Sequence, residues 1–312
     1  MGSRKSNFEV PVLINAFNRP GSTQQVLNAV KKVRPSKLFL AIDGPREGDL
    51  NDLEKSKRIK EIFDSVDWKC SVKKLYRRTN LGCPRAIPEA IDWFFSEVDF
   101  GIILEDDCLP NYSFFQFCED MLNRFNSNDR IMMVSGNNFM PGKKFSDYSY
   151  FFSKYGFIWG WATWKNSWKK FDNDMNSYPN FIKSESFRRR YPNILDRYFW
   201  KTAFRNKYYG FSQGWAMKWN YAMAINDGLS ILPSRNLVEN IGFGPDATMT
   251  KTIDKKMMIS TQEINFPLSH PRDIVENLVY DKKVFRRNFL STVNIRTLTK
   301  NYVNARRGTK KC

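Results

Sequence analysis

Residues 100–107 have the sequence FGIILEDD, an apolar run that ends in three consecutive acids. The apolar run is typical of a buried β-strand, and we predict a strand over residues 100–104. Three adjacent carboxylates repel one another unless a cation neutralises them. The stretch therefore predicts a strand whose carboxyl end carries a cation-dependent acidic triplet, Glu105, Asp106 and Asp107.

Upstream of this stretch, short apolar runs alternate with segments of helical periodicity. The predicted strands cover residues 10–17, 37–42, 70–76 and 100–104, and the predicted helices cover residues 23–33, with Ser22 as the cap, 50–66 and 84–98. Such alternation indicates an α/β fold with a mostly parallel central sheet flanked by helices. Because ligands bind beyond the carboxyl ends of such strands, Asn18-Arg19, Asp43-Gly44 and the acidic triplet should converge on one site.

The acidic triplet has two interpretations. Carboxylate oxygens are the ligands that hard divalent ions prefer, so Mn²⁺ or Mg²⁺ held there would bridge to a diphosphate. Alternatively, the triplet is a solvated acidic turn that caps a helix starting near Asn111. The position at the end of the fourth strand of an α/β pattern favours the metal site.

The second half of the chain is rich in Trp, Tyr, Asn and Gly and predicts a less regular layer over the site. Trp161, Trp164 and Trp168 have helical spacing, which favours a helix that packs into the core. Trp159-Gly160 precedes them and suits a loop that approaches a ligand closely. We therefore expect this segment to combine core packing with sugar stacking.

Two further residues are candidates with plain structural alternatives. Arg85 follows the Asn80-Leu81-Gly82 loop and would pair with a diphosphate, or it is one basic surface residue among 50. His270 is the single histidine and would be a late metal ligand, or it is structural.

The composition describes a basic globular chain. Its 312 residues are 42% hydrophobic and carry a formal net charge of +18, which indicates a polyanionic or phosphate-bearing partner. The five cysteines include no C-x-x-C pair, so a reducing cytoplasm is the simplest compartment. The sequence contains no run of 18 apolar residues, so we predict no membrane span.

The C-terminal residues 281–312 contain ten Lys or Arg against one acid, with apolar residues such as Val284, Phe285 and Phe289 interleaved. A basic, partly amphipathic segment of this kind is typical of peripheral binding to an anionic membrane, here the inner face of the cell membrane. A solvated tail is the alternative.

Taken in series, several motifs resemble bacterial glycosyltransferases of the GT-A fold, and more closely the group related to eukaryotic N-acetylglucosaminyltransferase I. The resemblance spans roughly residues 9 to 270. The motifs are PVLINAFNRP at 11–20, DG at 43–44, NLG at 80–82, EDD at 105–107, FIWGWATW at 157–164, GWAMKW at 214–219 and NLVENIGFGPDATMT at 236–250.

The resemblance implies a glycosyltransferase domain over residues 1–270, with a nucleotide-sugar-binding half over about 9–135 and an acceptor-binding half over about 136–270. A basic segment would follow at 271–312. The donor would be a UDP-sugar, most often UDP-N-acetylhexosamine. The acceptor would be a saccharide, which we expect to be lipid-linked and part of bacterial surface polysaccharide synthesis.

The resemblance also assigns residues to roles. Asp107 would contact the metal, and Glu105 and Asp106 would contact the nucleotide. The base and ribose would be contacted by Asn15, Arg19 and Asp43, with Gly44 beside Asp43. In the acceptor half we expect contacts from Trp159, Gly160, Trp161 and Trp215.

One departure concerns the general base. The related enzyme carries an acid after the tryptophan in the segment that resembles Trp215 to Trp219, and here Ala216 and Met217 take that place. The acceptor hydroxyl must still lose its proton in an inverting displacement. Asp246, Glu239 and Asp174 are the candidates, Asp246 foremost, and inversion or retention stays open.

Three other classes of protein compete with a glycosyltransferase. A nucleotidylyltransferase on a similar fold usually has an early Gly-rich loop with a lysine, and residues 17–24, FNRPGSTQ, contain none. A nucleic-acid-binding protein would explain the charge but not the triplet, which repels phosphate, so we expect no nucleic-acid partner. The third alternative is a non-catalytic sugar-binding relative.

Overall fold

A computed structural model describes residues 8–243 and 258–289. Eight of its ten strands form one sheet in the order β3-β2-β1-β4-β8-β6-β9-β7, and β5 pairs with β10 in a separate ribbon. The strands are β1 Val12–Ala16, β2 Lys37–Ile42, β3 Ser71–Tyr76, β4 Phe100–Glu105, β5 Cys108–Pro110, β6 Ile131–Ser135, β7 Tyr150–Ser153, β8 Trp161–Trp164, β9 Leu229–Pro233 and β10 Val238–Asn240.

The helices cover both faces of this sheet. In chain order they are α1 Pro20–Lys31, α2 Leu50–Asp64, α3 Cys83–Glu97, α4 Tyr112–Arg124, α5 Lys165–Trp168, α6 Tyr178–Phe181, α7 Glu185–Arg190, α8 Ile194–Tyr208, α9 Ala216–Ile225 and α10 Leu278–Val284, which continues as a π-helical turn over Phe285–Phe289. Because both faces are covered, β1 is buried along its whole length and is apolar except for Asn15.

The first four sheet strands, β3, β2, β1 and β4, are parallel to one another. β8 runs antiparallel between β4 and β6, β9 is parallel to β6, and β7 is an antiparallel edge strand. The predicted α/β fold with a mostly parallel, helix-flanked sheet is therefore confirmed.

Two local predictions were wrong. Arg19, not Ser22, is the N-cap of α1, and Pro20 occupies the first helical position, where its missing N–H costs nothing. Trp161 and Trp164 lie in the strand β8 rather than in a helix, which begins only at Lys165. Every residue of β8 is buried, so its sequence has no polar alternation that would have marked a strand.

The described part of the basic C-terminal segment packs against the domain. Tyr280, Val284 and Phe285 are buried in an aromatic cluster that also contains Tyr155 and Trp200. Val284 and Phe285 therefore contribute to the core rather than to an exposed apolar face. The predicted basic residues beyond position 289 lie outside the described residues.

In the part of the chain that the structure describes, no helix combines the length and the hydropathy that crossing a membrane requires.

Candidate functional site

A cavity of about 520 Å³ opens at the carboxyl ends of β1, β2 and β4. This volume is within the range of small-ligand sites. Its walls combine polar groups at the strand ends with apolar side chains from α3 and the second half of the chain. Lining residues used below are Asn15, Arg19, Asp43, Arg46, Arg77, Cys83, Glu105, Asp106, Asp107, Trp159, Lys207, Gln213, Gly214, Trp215, Ala216, Met217, Gly242 and Phe243.

Arg19 holds two carboxylates of the acidic triplet. Its Nη1 lies 3.1 Å from Asp106 Oδ1 and 2.5 Å from Asp107 Oδ2. The backbone N–H of Phe17 donates to Asp106 Oδ2 at 3.1 Å. These contacts join the loop after β1 to the end of β4. The two segments are neighbours because β1 and β4 are parallel strands in which Asn15 lies beside Glu105.

The triplet carries more negative charge than Arg19 balances. Burial raises the pKa of Glu105 to about 8, and the charges of Asp107 and Asp106 add to the rise. Burial also raises the pKa of Asp106 to about 6, against the opposing charge of Arg19. Burial alone would lower the pKa of Arg19, but Asp106 and Asp107 raise it overall. A second cation at this position would therefore stabilise the ionised triplet.

Asn15 Nδ2 and Glu105 Oε1 are buried polar atoms of cavity-lining residues, and neither has a hydrogen-bond partner among the described residues. Asn15 itself is buried, with 7% of its surface exposed. Buried polar atoms are normally paired, so an unpaired donor and an unpaired acceptor in one cavity are typical of a site that a ligand completes.

Asp43 organises the loop before α3. Its Oδ1 accepts hydrogen bonds from the N–H groups of Gly44 and Leu81, and its Oδ2 from Gly82 N and Asn80 Nδ2, at 2.9–3.0 Å. Four donors occupy both oxygens, so Asp43 lines the cavity chiefly as the residue that fixes the loop. The sequence motifs DG and NLG are thus one structural unit.

Gly44 does not line the cavity. A Cβ at Gly44 would lie 2.3–2.5 Å from the backbone of Thr79, so this position requires glycine for close packing.

The segment after β10 lies directly against Asp107. The N–H of Ile241 donates to the Asp107 carbonyl at 2.8 Å. A Cβ at Gly242 would lie 2.1 Å from Asp107 Oδ2, so the absent side chain leaves room for the carboxylate. Phe243 follows on the cavity wall and contacts Trp159 edge to face, with ring centroids 5.9 Å apart.

The predicted acceptor residues have different positions. Trp159 and Trp215 line the cavity. Trp161 is fully buried and packs against Trp168, Trp215 and Trp219 behind it, so it supports the site from the core. Gly160 has φ +62° and packs closely against Val238 rather than on the cavity wall.

Arg85 and His270 lie away from the cavity. Arg85 is exposed on the first turn of α3 and pairs with Glu89 at 3.1 Å. His270 Nδ1 lies 3.1 Å from the hydroxyl of Tyr150, on the far edge strand β7. The structure therefore does not bring either residue to the predicted diphosphate or metal position.

Three cavity cations were not predicted from the sequence: Arg46, Arg77 and Lys207. Arg77 directly follows β3, so inspecting the residues after each predicted strand would have identified it. Lys207 lies in the last turn of α8, and no local pattern marks it.

The general base is not identified by the described residues. Ala216 and Met217 line the cavity, whereas Glu239 and Asp174 do not. The acids on the wall are Asp43 and the triplet. Asp246 lies outside the described residues, three positions after Phe243.

The residues on the cavity wall fit a divalent cation whose coordination shell is completed by substrate phosphates and water. Within residues 8–243 and 258–289, no three acidic, His or Cys side chains converge as a ready-made metal site. The oxygen donors on the wall, Asp107 and the unpaired Glu105 Oε1, are of the type that Mg²⁺ and Mn²⁺ prefer. Such ions often take only one or two protein carboxylates and complete their shell with substrate phosphates and water.

No family model and no curated protein matches the chain. Solved structures that are similar in backbone arrangement include mouse xyloside xylosyltransferase 1 in its apo form, at 11% identity and TM-score 0.32, covering 69% of this chain and 81% of that one. A 4-diphosphocytidyl-2C-methyl-D-erythritol synthase from Anaerococcus prevotii has 11% identity and TM-score 0.29, covering 57% and 78%. HddC from Yersinia pseudotuberculosis has 10% identity and TM-score 0.31, covering 50% and 77%. At these values the likenesses carry no argument about the function of this chain.

Proposed function

We propose that the chain is a glycosyltransferase that moves a sugar from a nucleotide-sugar donor to a saccharide acceptor. The observation that carries this proposal is the cavity at the carboxyl ends of β1, β2 and β4, whose wall holds the acidic triplet and Arg19. This is the position at which α/β sheets bind nucleotides. In support, several motifs that resemble those of GT-A enzymes contribute residues to the same wall, among them Asn15, Asp107 and Trp159.

On the donor side, the unpaired Asn15 Nδ2 would donate a hydrogen bond to the base or ribose. The loop that Asp43 fixes would shape the donor side of the cavity, since the N–H groups of Leu81 and Gly82 are already bonded to Asp43. The resemblance to GT-A enzymes suggests UDP as the nucleotide and an N-acetylhexosamine as the sugar.

Asp107, with Glu105 beside it, would hold Mn²⁺ or Mg²⁺. A cation bound there would offset the negative charge that develops on the leaving diphosphate. Arg19 would keep Asp106 and Asp107 in place and would itself neutralise part of the same charge.

On the acceptor side, Trp159 would offer an aromatic face to a sugar ring, the buried Trp215 would support the wall from behind, and Asp246 would accept the proton of the attacking hydroxyl. Trp161 and Gly160 would act indirectly, by packing behind these residues.

We further propose a lipid-linked acceptor of bacterial surface polysaccharide synthesis, reached from the cytoplasmic face of the membrane. The support is a mixed apolar and basic surface at α10. Leu278 and Val279 are 62% and 60% exposed there, beside the exposed Lys282, Lys283 and Arg286.

A donor-turnover assay tests the reaction class. The full chain is incubated with UDP-, GDP-, CMP- and dTDP-sugars with Mn²⁺ or with EDTA, and free nucleotide is measured. We expect one donor class to be hydrolysed slowly and only with the cation, and Asp107→Asn to abolish that release while Asp147→Asn, an exposed acid, leaves it intact.

Two outcomes would reject the proposal. Nucleotide binding without turnover, even with a saccharide mixture present, would indicate a sugar-binding relative. Pyrophosphate release from a nucleoside triphosphate and a sugar 1-phosphate would indicate a nucleotidylyltransferase.

A further inference from the structure

Lys207 differs from the other cations of the cavity because it has no carboxylate partner among the described residues. Arg19 pairs with the triplet, Arg46 lies 2.5 Å from Asp52, and Arg77 lies 3.3 Å from Glu89. Lys207 Nζ donates to the backbone carbonyl of Gln213 instead. A partly buried ammonium without a counter-ion is free to form a charge-assisted hydrogen bond with an anionic ligand.

Lys207 shares the cavity with the proposed donor site. Burial raises the pKa of the Cys83 thiol to about 12, the charge of Glu105 adds to the rise, and the charge of Lys207 opposes it. Cys83 therefore lies within electrostatic reach of both Lys207 and the triplet. An anion held by Lys207 would lie beside the donor site rather than at a remote surface.

Two exposed aromatic rings follow Lys207 in the chain. Tyr209 is 59% and Phe211 74% exposed, and their rings stack with centroids 5.8 Å apart. Adjoining exposed aromatic rings are typical of a binding surface. Sugar rings bind to such faces through their C–H groups, and the aromatic residues lose little conformational entropy on binding.

The loop that carries these rings is well defined. Gly210 N donates to the Lys207 carbonyl and Ser212 N to the Asn206 carbonyl. Gly210 and Gly214 have φ values of +72° and +96°, which only glycine adopts without strain. Lys207, Gln213 and Gly214 line the cavity at both ends of the loop, and Tyr209 and Phe211 lie on the loop between them without being part of the cavity wall.

We propose that Lys207, Tyr209 and Phe211 form an acceptor subsite for a saccharide that carries a phosphate or a carboxylate. Lys207 pairs with the anionic group, and the stacked rings of Tyr209 and Phe211 hold an adjoining sugar. The description of the ligand as an acceptor rests on the proposed function, but binding at the subsite can be measured without turnover. The anionic group has two sources, a sugar phosphate as in a lipid-linked acceptor or a uronic acid.

The test measures saccharide binding to the full chain by ligand-observed NMR titration. The probes are glucose 1-phosphate, glucuronic acid and methyl glucoside, and the variants are Lys207→Met and Phe211→Ala. Lys201→Met is the matched control, because Lys201 is exposed on the same helix and does not line the cavity. UDP binding by each variant is measured in parallel.

We expect wild type and Lys201→Met to bind at least one acidic probe about tenfold more tightly than methyl glucoside, the gain typical of one charge-assisted hydrogen bond. Lys207→Met should lose this preference, and Phe211→Ala should weaken all three probes. The preferred probe identifies phosphate or carboxylate as the source. UDP binding should be unchanged in Phe211→Ala, because Phe211 is not part of the cavity wall, and in Lys207→Met it should fall less than binding of the preferred acidic probe.

Three results would overturn the subsite. Wild type could show no preference for either acidic probe, or Lys207→Met could retain it. Lys207→Met could instead lose UDP binding while saccharide binding stays intact, which would place Lys207 at the donor diphosphate. Failure of UDP binding in wild type, with the saccharide results as expected, would count against the proposed function and not against the subsite.

Discussion

At the scale of single residues, the site depends on how three carboxylates share one guanidinium. Arg19 contacts Asp106 and Asp107 through one nitrogen, and Glu105 Oε1 has no partner in the described chain. Because burial and neighbouring charge raise the pKa of Glu105 to about 8, the triplet is incompletely ionised near neutral pH. A divalent cation would favour the fully ionised form, and this links metal binding to proton release.

Gly242 offers a test of the triplet that leaves the acids in place. An added Cβ would lie 2.1 Å from Asp107 Oδ2 and 2.7 Å from Asp107 Cβ, so Gly242→Ala should displace the Asp107 side chain. We expect metal-dependent nucleotide binding to weaken at least tenfold, measured by titration calorimetry. Gly21→Ala is the control, since a Cβ there meets nothing within 4 Å. Unchanged affinity in Gly242→Ala would show that the position of Asp107 does not matter for binding.

The sequence was informative for residues at strand ends and uninformative for the opposite wall. Arg19, Asp43 and Asp107 each follow a predicted parallel strand, and topology alone brings such positions together. Lys207 and Phe243 reach the cavity from a distant helix and loop, and only tertiary packing decides which of their many polar and aromatic neighbours face inward.

At the scale of elements, the loop before α3 is held by one side chain. Asp43→Ala would remove the acceptor for three backbone N–H groups and for Asn80. Water can satisfy part of these half-buried donors, so we expect a loss of about 2 kcal/mol in unfolding free energy. Denaturant titration measures it, and hydrogen exchange at Leu81 and Gly82 should accelerate.

Asp43→Asn keeps one acceptor oxygen and should lie between wild type and Asp43→Ala. If both variants unfold at the wild-type denaturant concentration and the two amides exchange at the wild-type rate, the loop does not depend on Asp43.

A buried carboxylate attaches α10 to the edge of the sheet. Asp281 accepts hydrogen bonds from Ser153 Oγ at 2.5 Å and from Lys154 N at 3.2 Å. Burial raises the pKa of Asp281 to about 7 from its ordinary value of 3.8. Between these values the folded state keeps a proton that the unfolded state has lost. This contribution to stability is therefore present below about pH 4 and is lost as the pH rises through 7.

The measurement is the pH dependence of unfolding free energy in wild type and Asp281→Asn. The difference between the two should change by up to about 1.4 kcal/mol per pH unit across this window, with Asp281→Asn gaining relative stability as the pH rises. Asp129→Asn, an exposed acid, should show no such change. Parallel curves for wild type and Asp281→Asn would mean that Asp281 titrates normally.

Elements with clear periodicity were predicted within a few residues, as for β2, where the predicted and observed bounds coincide. β8 was predicted as a helix because Trp161, Trp164 and Trp168 have spacing that suits a helix. In the structure the first two of these belong to a strand inserted antiparallel between β4 and β6. A strand that is buried on both faces has no alternation of polar and apolar residues. Whether such a segment forms a strand or a helix therefore depends on partners that are distant in sequence.

At the scale of the whole molecule, the charge of +18 is the property that most affects association. The surface at α10 combines Leu278 and Val279 with Lys282, Lys283 and Arg286. We expect the protein to bind phosphatidylglycerol vesicles but not phosphatidylcholine vesicles in a sedimentation assay. The double charge reversal Lys282→Glu with Arg286→Glu should weaken binding at least tenfold, since each basic residue contributes about 1 kcal/mol at such a surface.

The matched control is Lys57→Glu with Arg58→Glu, which makes the same change in net charge on the exposed side of α2. Equal weakening by both pairs would mean that net charge, and not the surface at α10, determines binding to the vesicles.

The central claim is that the cavity binds a nucleotide diphosphate together with a divalent cation through Asp107. The most direct measurement is the melting temperature of wild type and Asp107→Ala with UDP, in Mn²⁺ or in EDTA. A ligand at 100 times its dissociation constant stabilises the folded state by about 2.7 kcal/mol, which shifts the melting temperature by several degrees. We predict that shift for wild type with UDP and Mn²⁺, and its absence in EDTA and in Asp107→Ala. An equal shift in EDTA, or in Asp107→Ala with Mn²⁺, would contradict the account.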